Sequence, residues 1–375
     1  MSMSFVIAAG GTGGHLFPAE ALASELLGRG GKVHLASDGR TDAIAGRLPG
    51  VETHRVRAGR FSGGPGRAAQ ALVELAIGTV EARQLLRRLA PAVVIGFGGY
   101  PSFPTMLAAC HLRLPTLVHE QNAVLGRANR LFARYARRIA TSFPVTIGLR
   151  PADQVRAVHT GNPVRPAVLA FGNAAYKAPE PGAPIELLVL GGSQGARILS
   201  EVVPTALAAL PRALREVLRV SQQVRPEDLA AVSEIYRRTG IAADLDTFFD
   251  DVPARLARAH LVITRAGASS IAELATVGRP AVLIPYPYAT DDHQTANARA
   301  FAGAGGGWII PQSSLSRTTL ALQLDCLLTD RVALSAAAQR AGALGRGNAA
   351  RCLAQLTLGL VPGAGCASEF QRCAA

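Results

Sequence analysis

Two glycine-rich turns, Gly10 to Gly14 closed by His15 and GGSQGAR at Gly191 to Arg197, each stand between a short apolar run and an Ala/Leu-rich helical pattern. The first N–H groups of a helix have no partner inside it and carry a partial positive charge, so such a turn suits a phosphate or diphosphate. Glycine pairs also simply permit tight turns. The same strand, loop and helix grammar returns at GFGGYPSFP (Gly96 to Pro104) and TRAGASSIAEL (Thr264 to Leu274), and this recurrence favours anion binding. Neither turn has the GxGxxG spacing of a dinucleotide site, and no GxxxxGK[ST] occurs, so NAD and ATP lose their best warrants. Glu273 falls in the first turns of its helix, where a carboxylate can accept two ribose hydroxyls or merely offset the helix dipole. His15, at the first turn, is a proton acceptor of a type that titrates near neutrality.

The elements that must position these residues alternate. Strands are expected at Phe5 to Ala9, Lys32 to Ala36, Ala92 to Ile95, Thr116 to His119, Arg138 to Thr141, Ile185 to Leu190, His260 to Thr264 and Ala281 to Ile284. Helices are expected at Pro18 to Leu27, Ala68 to Leu89, Ile198 to Leu210, Glu227 to Arg238, Ser269 to Val277 and Gln294 to Ala302, with a helical tail from Ser316. Such alternation argues for parallel sheets flanked by helices. The chain restarts its grammar after Lys177 to Pro184, so two doubly wound domains are expected, 1–163 and 164–345, with a hinge near Asn162 to Pro166. Ligands of such sheets bind beyond the carboxyl ends of the strands, where the glycine loops lie, in a cleft between the domains.

At 375 residues the chain suits two cores rather than one. Its five cysteines (Cys110, Cys326, Cys352, Cys366, Cys373) are scattered and lack CxxC spacing, so neither a disulfide framework nor a zinc site is indicated. The N-terminus has no basic n-region of a signal peptide, and a cytoplasmic location is expected. Ala92 to Leu112 carries no Asp, Glu, Lys or Arg, but its glycines and prolines argue against a membrane-spanning helix. The net charge of +13 is concentrated early, with 19 Lys/Arg against 9 Asp/Glu in residues 1–162. A basic surface attracts nucleic acid, anionic lipid or a phosphorylated substrate. No nucleic-acid-binding motif accompanies it, so no nucleic-acid partner is expected.

GGTGGHLFPAEALA, GFGGYPSFP, HEQNAVLGRANR, GNPVR, GGSQGAR, RAGASSIAEL and the HQTANA segment, in this order over nearly the whole chain, resemble the MurG family. The resemblance implies the B-type glycosyltransferase fold, two Rossmann-like doubly wound parallel-sheet domains facing a central cleft. It also implies a C-terminal helix, about 346–360, that packs back on the first domain. The activity it implies is inverting transfer of N-acetylglucosamine from UDP to lipid I, an undecaprenyl-diphosphate-linked muramyl-pentapeptide, forming lipid II. The enzyme would sit peripherally on the cytoplasmic membrane face, with anionic lipid and the cell-wall and division machinery as partners. Other B-type transferases and UDP-N-acetylglucosamine 2-epimerases share parts of the donor motif and remain alternatives, as does a basic nucleic-acid-binding protein.

Carried over residue by residue, the resemblance puts Ser193 on the diphosphate, Arg165 near the nucleotide and Glu273, with Ala268 and Ser269 of the same loop, at the donor. Phe249, beside Phe248, stands in the segment that grips the uracil through its backbone, where an aliphatic residue is commoner. Gln294 would read the sugar hydroxyls, and Asn122 would reach the sugar from the first domain. Thr12, Gly13 and Gly14 would close over the same site. Inversion needs a base for the acceptor hydroxyl, for which His15 and then Glu120 are the candidates. No DxD-like acidic pair stands in a metal-binding context, so no metal and no other cofactor is expected.

Overall fold

The computed structural model describes residues 3–10, 13–39, 50–59, 65–172, 174–192 and 195–363. It divides into two compact units, Met1–Arg165 together with Arg346–Ala375, and Pro166–Gly345.

The first unit runs β1 (Ser4–Ala8), α1 (Gly13–Gly28), β2 (Lys32–Ser37), β3 (Val51–Arg55), α2 (Pro65–Leu89), β4 (Val93–Gly96), α3 (Phe103–His111), β5 (Thr116–Glu120), α4 (Arg127–Phe132), β6 (Arg138–Thr141) and β7 (Ala157–His159). Its strands form one parallel sheet in the order β3-β2-β1-β4-β5-β6-β7. On β1, Phe5 and Ile7 pack into one layer with Leu16, Leu22 and Leu26 of α1. Val6 and Ala8 pack into the opposite layer with Leu85 and Leu86 of α2 and Met106 of α3. A strand covered on both faces must be apolar throughout, which is why β1 and β4 read as unbroken hydrophobic runs.

The second unit runs β8 (Ile185–Leu190), α5 (Arg197–Ala208), β9 (Leu218–Gln223), α6 (Leu229–Thr239), β10 (Ala242–Asp246), β11 (Leu261–Thr264), α7 (Ala268–Val277), β12 (Ala281–Leu283), α8 (His293–Gly303), β13 (Gly307–Ile309), α9 (Arg317–Thr329) and α10 (Arg331–Ala343). Its sheet is again parallel, in the order β10-β9-β8-β11-β12-β13. Both orders reverse beside the first strand of their unit, between β1 and β4 and between β8 and β11. The glycine segments follow those four strands, so each unit carries two of them at the switch point where open α/β sheets take ligands.

The last helix, α11 (Ala349–Leu358), belongs to the first unit: Leu353, Ala354 and Leu356 are buried in the layer that also holds α1. Their side chains complete a core whose other members lie more than two hundred residues earlier in the chain.

Two local expectations need correction. Helix α1 opens at Gly13, not Pro18, and carries Pro18 inside its second turn. The missing proline N–H there costs one helical bond, and burial of Leu16, Ala19 and Leu22 offsets it. Strands β3, β7, β9, β10 and β13 were not expected from the sequence. In VETHR and AADLD the residues are mostly exposed or half-buried, as suits edge strands paired on one side only. β9 is interior but buries Gln222, whose Oε1 accepts from the Tyr236 hydroxyl at 2.5 Å. Such strands are chosen by tertiary pairing rather than by local apolar pattern. The uncharged stretch Ala92 to Leu112 folds as β4, a loop and α3, and no helix among the described residues is long and apolar enough to cross a membrane.

Candidate functional site

In the first unit the loops after β1, β4 and β5 converge. A Cβ on Gly10 would lie 2.7 Å from the Pro101 Cβ, so only glycine lets the loop after β1 touch the loop after β4. Gly98 and Gly99 hold φ of +83° and +75°, the left-handed region that glycine enters without strain. A Cβ on Gly99 would be 3.5 Å from His15 Cδ2. His15 itself stands half-buried in the first turn of α1, beside Gly13 and Gly14, and its Nδ1 lies 2.9 Å from Gln121 Oε1.

Glu120, at the end of β5, is 1 % exposed. Its Oε1 accepts from the N–H and Nδ2 of Asn122 at 3.0 and 3.3 Å, and its Oε2 from the N–H of Gly126 and Nδ2 of Asn129 at 2.9 and 2.8 Å. Four donors on one carboxylate make it an anchor for the HEQNA loop. Asn122 is correspondingly held by Glu120.

GNPVR follows β7. The Arg165 guanidinium lies 5.1 Å from the centroid of the Phe17 ring of α1, and the residue falls in the first unit. Asn162 of the same segment is 7 % exposed, yet neither amide atom has a partner among the described residues. A buried amide left unpaired costs about 1–3 kcal/mol. Sequence reading singled out only Arg165 here; the polar residue inside GNPVR was the available signal.

In the second unit, the loop after β8 folds so tightly that a Cβ on Gly191 would lie 2.5 Å from the Ala196 nitrogen. Helices α5 and α7 both start without a side-chain cap, which leaves their first N–H groups for another acceptor. Ala268 and Ser269 open α7, and Glu273 lies in its second turn. The Ser269 hydroxyl is buried without a partner among the described residues.

Gln294, on the first turn of α8, accepts through Oε1 from the N–H of Ala266 at 3.2 Å and of Tyr286 at 3.0 Å. Asn297, one turn on, donates from Nδ2 to the Ala266 carbonyl at 3.0 Å. The HQTANA segment thus clamps the RAGAS loop. Just before α8, Asp291 and Asp292 sit at φ of +52° and +51°, where residues with a Cβ are strained.

Phe249 is buried beneath the Arg255 guanidinium, 4.0 Å from the ring centroid, while Phe248 is exposed. Arg255 also donates to Asp251, and this bond holds the Asp251 carboxyl below the usual range. Asp251 is therefore engaged as an ion-pair partner. Among the described residues one group, His34, Glu52 and His54 on β2 and β3, brings nitrogen and oxygen donors within 4.8 Å of one another. Thr12 and Ser193 lie outside the described residues.

Two parallel-sheet units, each with paired glycine loops at its switch point, define the class as a two-domain glycosyltransferase of the B-type plan. The N-terminal domain of glycosyltransferase family 28 matches residues 5–141 and its C-terminal domain residues 186–353. The crystal structure of Acinetobacter baumannii MurG superposes with a TM-score of 0.78 at 30 % identity, covering 95 % of this chain and 99 % of that one. CalG4, the calicheamicin glycosyltransferase, superposes with a TM-score of 0.67 over 97 % of this chain and 100 % of that one, but at 15 % identity it shares the fold alone. The UDP-N-acetylglucosamine--N-acetylmuramyl-(pentapeptide) pyrophosphoryl-undecaprenol N-acetylglucosamine transferase of Rhodospirillum centenum is 56 % identical over 96 % of this chain and 95 % of its own. That of Paramagnetospirillum magneticum is 56 % identical over 95 % and 96 %. The chain belongs to this transferase family, the MurG family, and the resemblance drawn from its seven motifs is borne out.

Proposed function

We propose that this chain transfers N-acetylglucosamine from UDP-N-acetylglucosamine to lipid I with inversion, forming lipid II in peptidoglycan synthesis. The observation that carries this is 56 % identity over 96 % of the chain to a transferase named for that donor and acceptor. The test is transfer of labelled N-acetylglucosamine from UDP to a lipid I analogue in the presence of a chelator; no transfer without the chelator would refute the assignment.

The reading gives the second unit the donor. The uncapped starts of α5 and α7 meet the diphosphate, with Ser193 in the first of these loops and Ala268 and Ser269 in the second. Glu273 takes the ribose hydroxyls, the backbone at Phe249 takes the uracil, and the NH₂ of Gln294 donates to the sugar. Arg165, Asn122 and the Thr12, Gly13 and Gly14 turn complete the contacts. In the reaction, His15 Nε2 takes the proton of the acceptor hydroxyl as that oxygen attacks the anomeric carbon. The electron pair of the breaking glycosidic bond goes to the diphosphate oxygen, whose charge the helix N-termini and Arg165 stabilise. The four donors on Glu120 support His15 over Glu120 as the base. A general base contributes roughly 10²–10⁴ in rate, so His15→Ala should lose turnover by that factor while UDP-sugar binding survives. Near-normal turnover of His15→Ala would remove it from the chemistry.

Membrane docking belongs to the same reading, on the cytoplasmic face, through the first unit. On α2, Val73, Ile77 and Val80 recur at helical spacing with Leu72 beside them, all exposed, while Ala71, Ala82, Leu85 and Leu86 face the core. Arg67, Arg83, Arg87 and Arg88 of that helix are exposed as well. On α4 and just beyond it, Leu131 and Tyr135 are exposed among Arg130, Arg134, Arg137 and Arg138, while Phe132 is buried. Apolar side chains flanked by arginine suit an anionic lipid surface.

A further inference from the structure

Three side chains and one peptide carbonyl of the first unit form a continuous hydrogen-bonded series: His15, Gln121, His119 and Gly161. Each link leaves an ambiguity that its neighbour removes. Gln121 presents Nε2 to the His119 main-chain carbonyl at 3.1 Å. A carbonyl can only accept, so the NH₂ end of the amide must point there and Oε1 must face His15. With an acceptor 2.9 Å away, His15 must carry its proton on Nδ1. Its Nε2 then holds the lone pair.

The other end closes the same way. His119 Nε2 faces the Gly161 carbonyl at 3.3 Å, again an acceptor only, and that carbonyl also accepts from the Thr160 hydroxyl at 3.1 Å. His119 therefore carries its proton on Nε2 and accepts at Nδ1 from Gln121 Nε2, 3.0 Å away. The ring has no exposed surface and packs 5.0 Å from the Phe97 ring. Burial holds its pKa down at about 4, so it is neutral at neutral pH.

We propose that Gln121 and His119 are positioning residues that lock neutral His15 in its Nδ1–H tautomer, so that Nε2 is always the basic nitrogen offered to the acceptor hydroxyl. The inference rests on the reading of His15 as the base. Its direction is set by two backbone carbonyls, those of His119 and Gly161, which cannot reverse roles. Gln121 orients but does not conduct: an amide nitrogen has no lone pair to take a proton, so the proton received at Nε2 stays on the imidazolium until it is released to solvent. Meanwhile the Nδ1–H bond to Gln121 strengthens because its donor is now charged.

The test is the histidine tautomer state, read by ¹H–¹⁵N correlation of ring-labelled protein at neutral pH. Unliganded wild type should show neutral His15 as the Nδ1–H form and His119 as the Nε2–H form. Gln121→Leu should release His15 from the Nδ1–H form and lower kcat by about a hundredfold, in the range expected for a misassigned general base, with KM for UDP-N-acetylglucosamine within about twofold. Wild-type His15 in the Nε2–H form overturns the proposal, and that measurement needs no variant to fold. A Gln121→Leu variant with unchanged kcat and unchanged His15 tautomer overturns it too. His15→Ala separates the two ideas: if it keeps turnover, the base assignment fails even where the tautomer lock is observed.

Discussion

Acidification should destabilise this protein through His119, and the size of the effect follows from its burial. The imidazole has its ordinary pKa of 6.5 in the unfolded chain and about 4 in the fold, because its surroundings cannot solvate a charge. Between these values the unfolded state binds the proton and the folded state does not, so falling pH favours unfolding. The contribution is fully present above about pH 6.5 and is lost as pH falls towards 4. At about 1.4 kcal/mol per tenfold change in proton affinity, the whole effect is about 3 kcal/mol, of which about 2 kcal/mol is gone by about pH 5. His54, His159 and His260 have pKa values lowered by burial and act in the same direction, so the effect of His119 must be isolated by substitution. Urea unfolding of wild type and His119→Gln should be compared at about pH 7.5 and about pH 5. The wild type should lose midpoint with little change in slope, and the variant should lose about 2 kcal/mol less between the two conditions. An identical acid loss in both proteins would refute the assignment of a buried neutral imidazole.

Three further outcomes are expected. Leu353→Ala, in the helix that returns to the first unit, should cost about 2–5 kcal/mol in unfolding free energy, as for a fully buried leucine. Glu120→Gln replaces one acceptor oxygen by a donor against four donors and should lower thermal stability by about 2–3 kcal/mol; full stability with lost turnover would instead return Glu120 to the chemistry. Val73→Glu with Ile77→Glu alters two exposed positions of α2, so folding should be retained while flotation with anionic liposomes falls. Equal flotation would exclude that stripe as the docking surface.

Much of this protein was legible in the sequence because its central strands are covered on both faces. Phe5 to Ala8 and Ile185 to Leu190 must be apolar at nearly every position, and the glycine turns after them are forced by backbone approaches as close as that of Gly191 to Ala196. The alternating plan, the two-part division near Arg165 and the family itself could all be read from such segments. The edge strands could not, since VETHR and AADLD bury little and owe their conformation to the neighbour they pair with. Nor could the start of α1 ahead of Pro18, where core packing outweighs one missing helical bond. Most of all, the sequence by itself ranked His15 first and Glu120 second as candidates for the base. The tertiary structure adds that Glu120 accepts from four donors, whereas His15 Nδ1 faces Gln121 Oε1, an orientation set by carbonyls that cannot donate. Which atoms lie beside a carboxylate or an imidazole is decided by contacts between residues as far apart as His15 and Gln121.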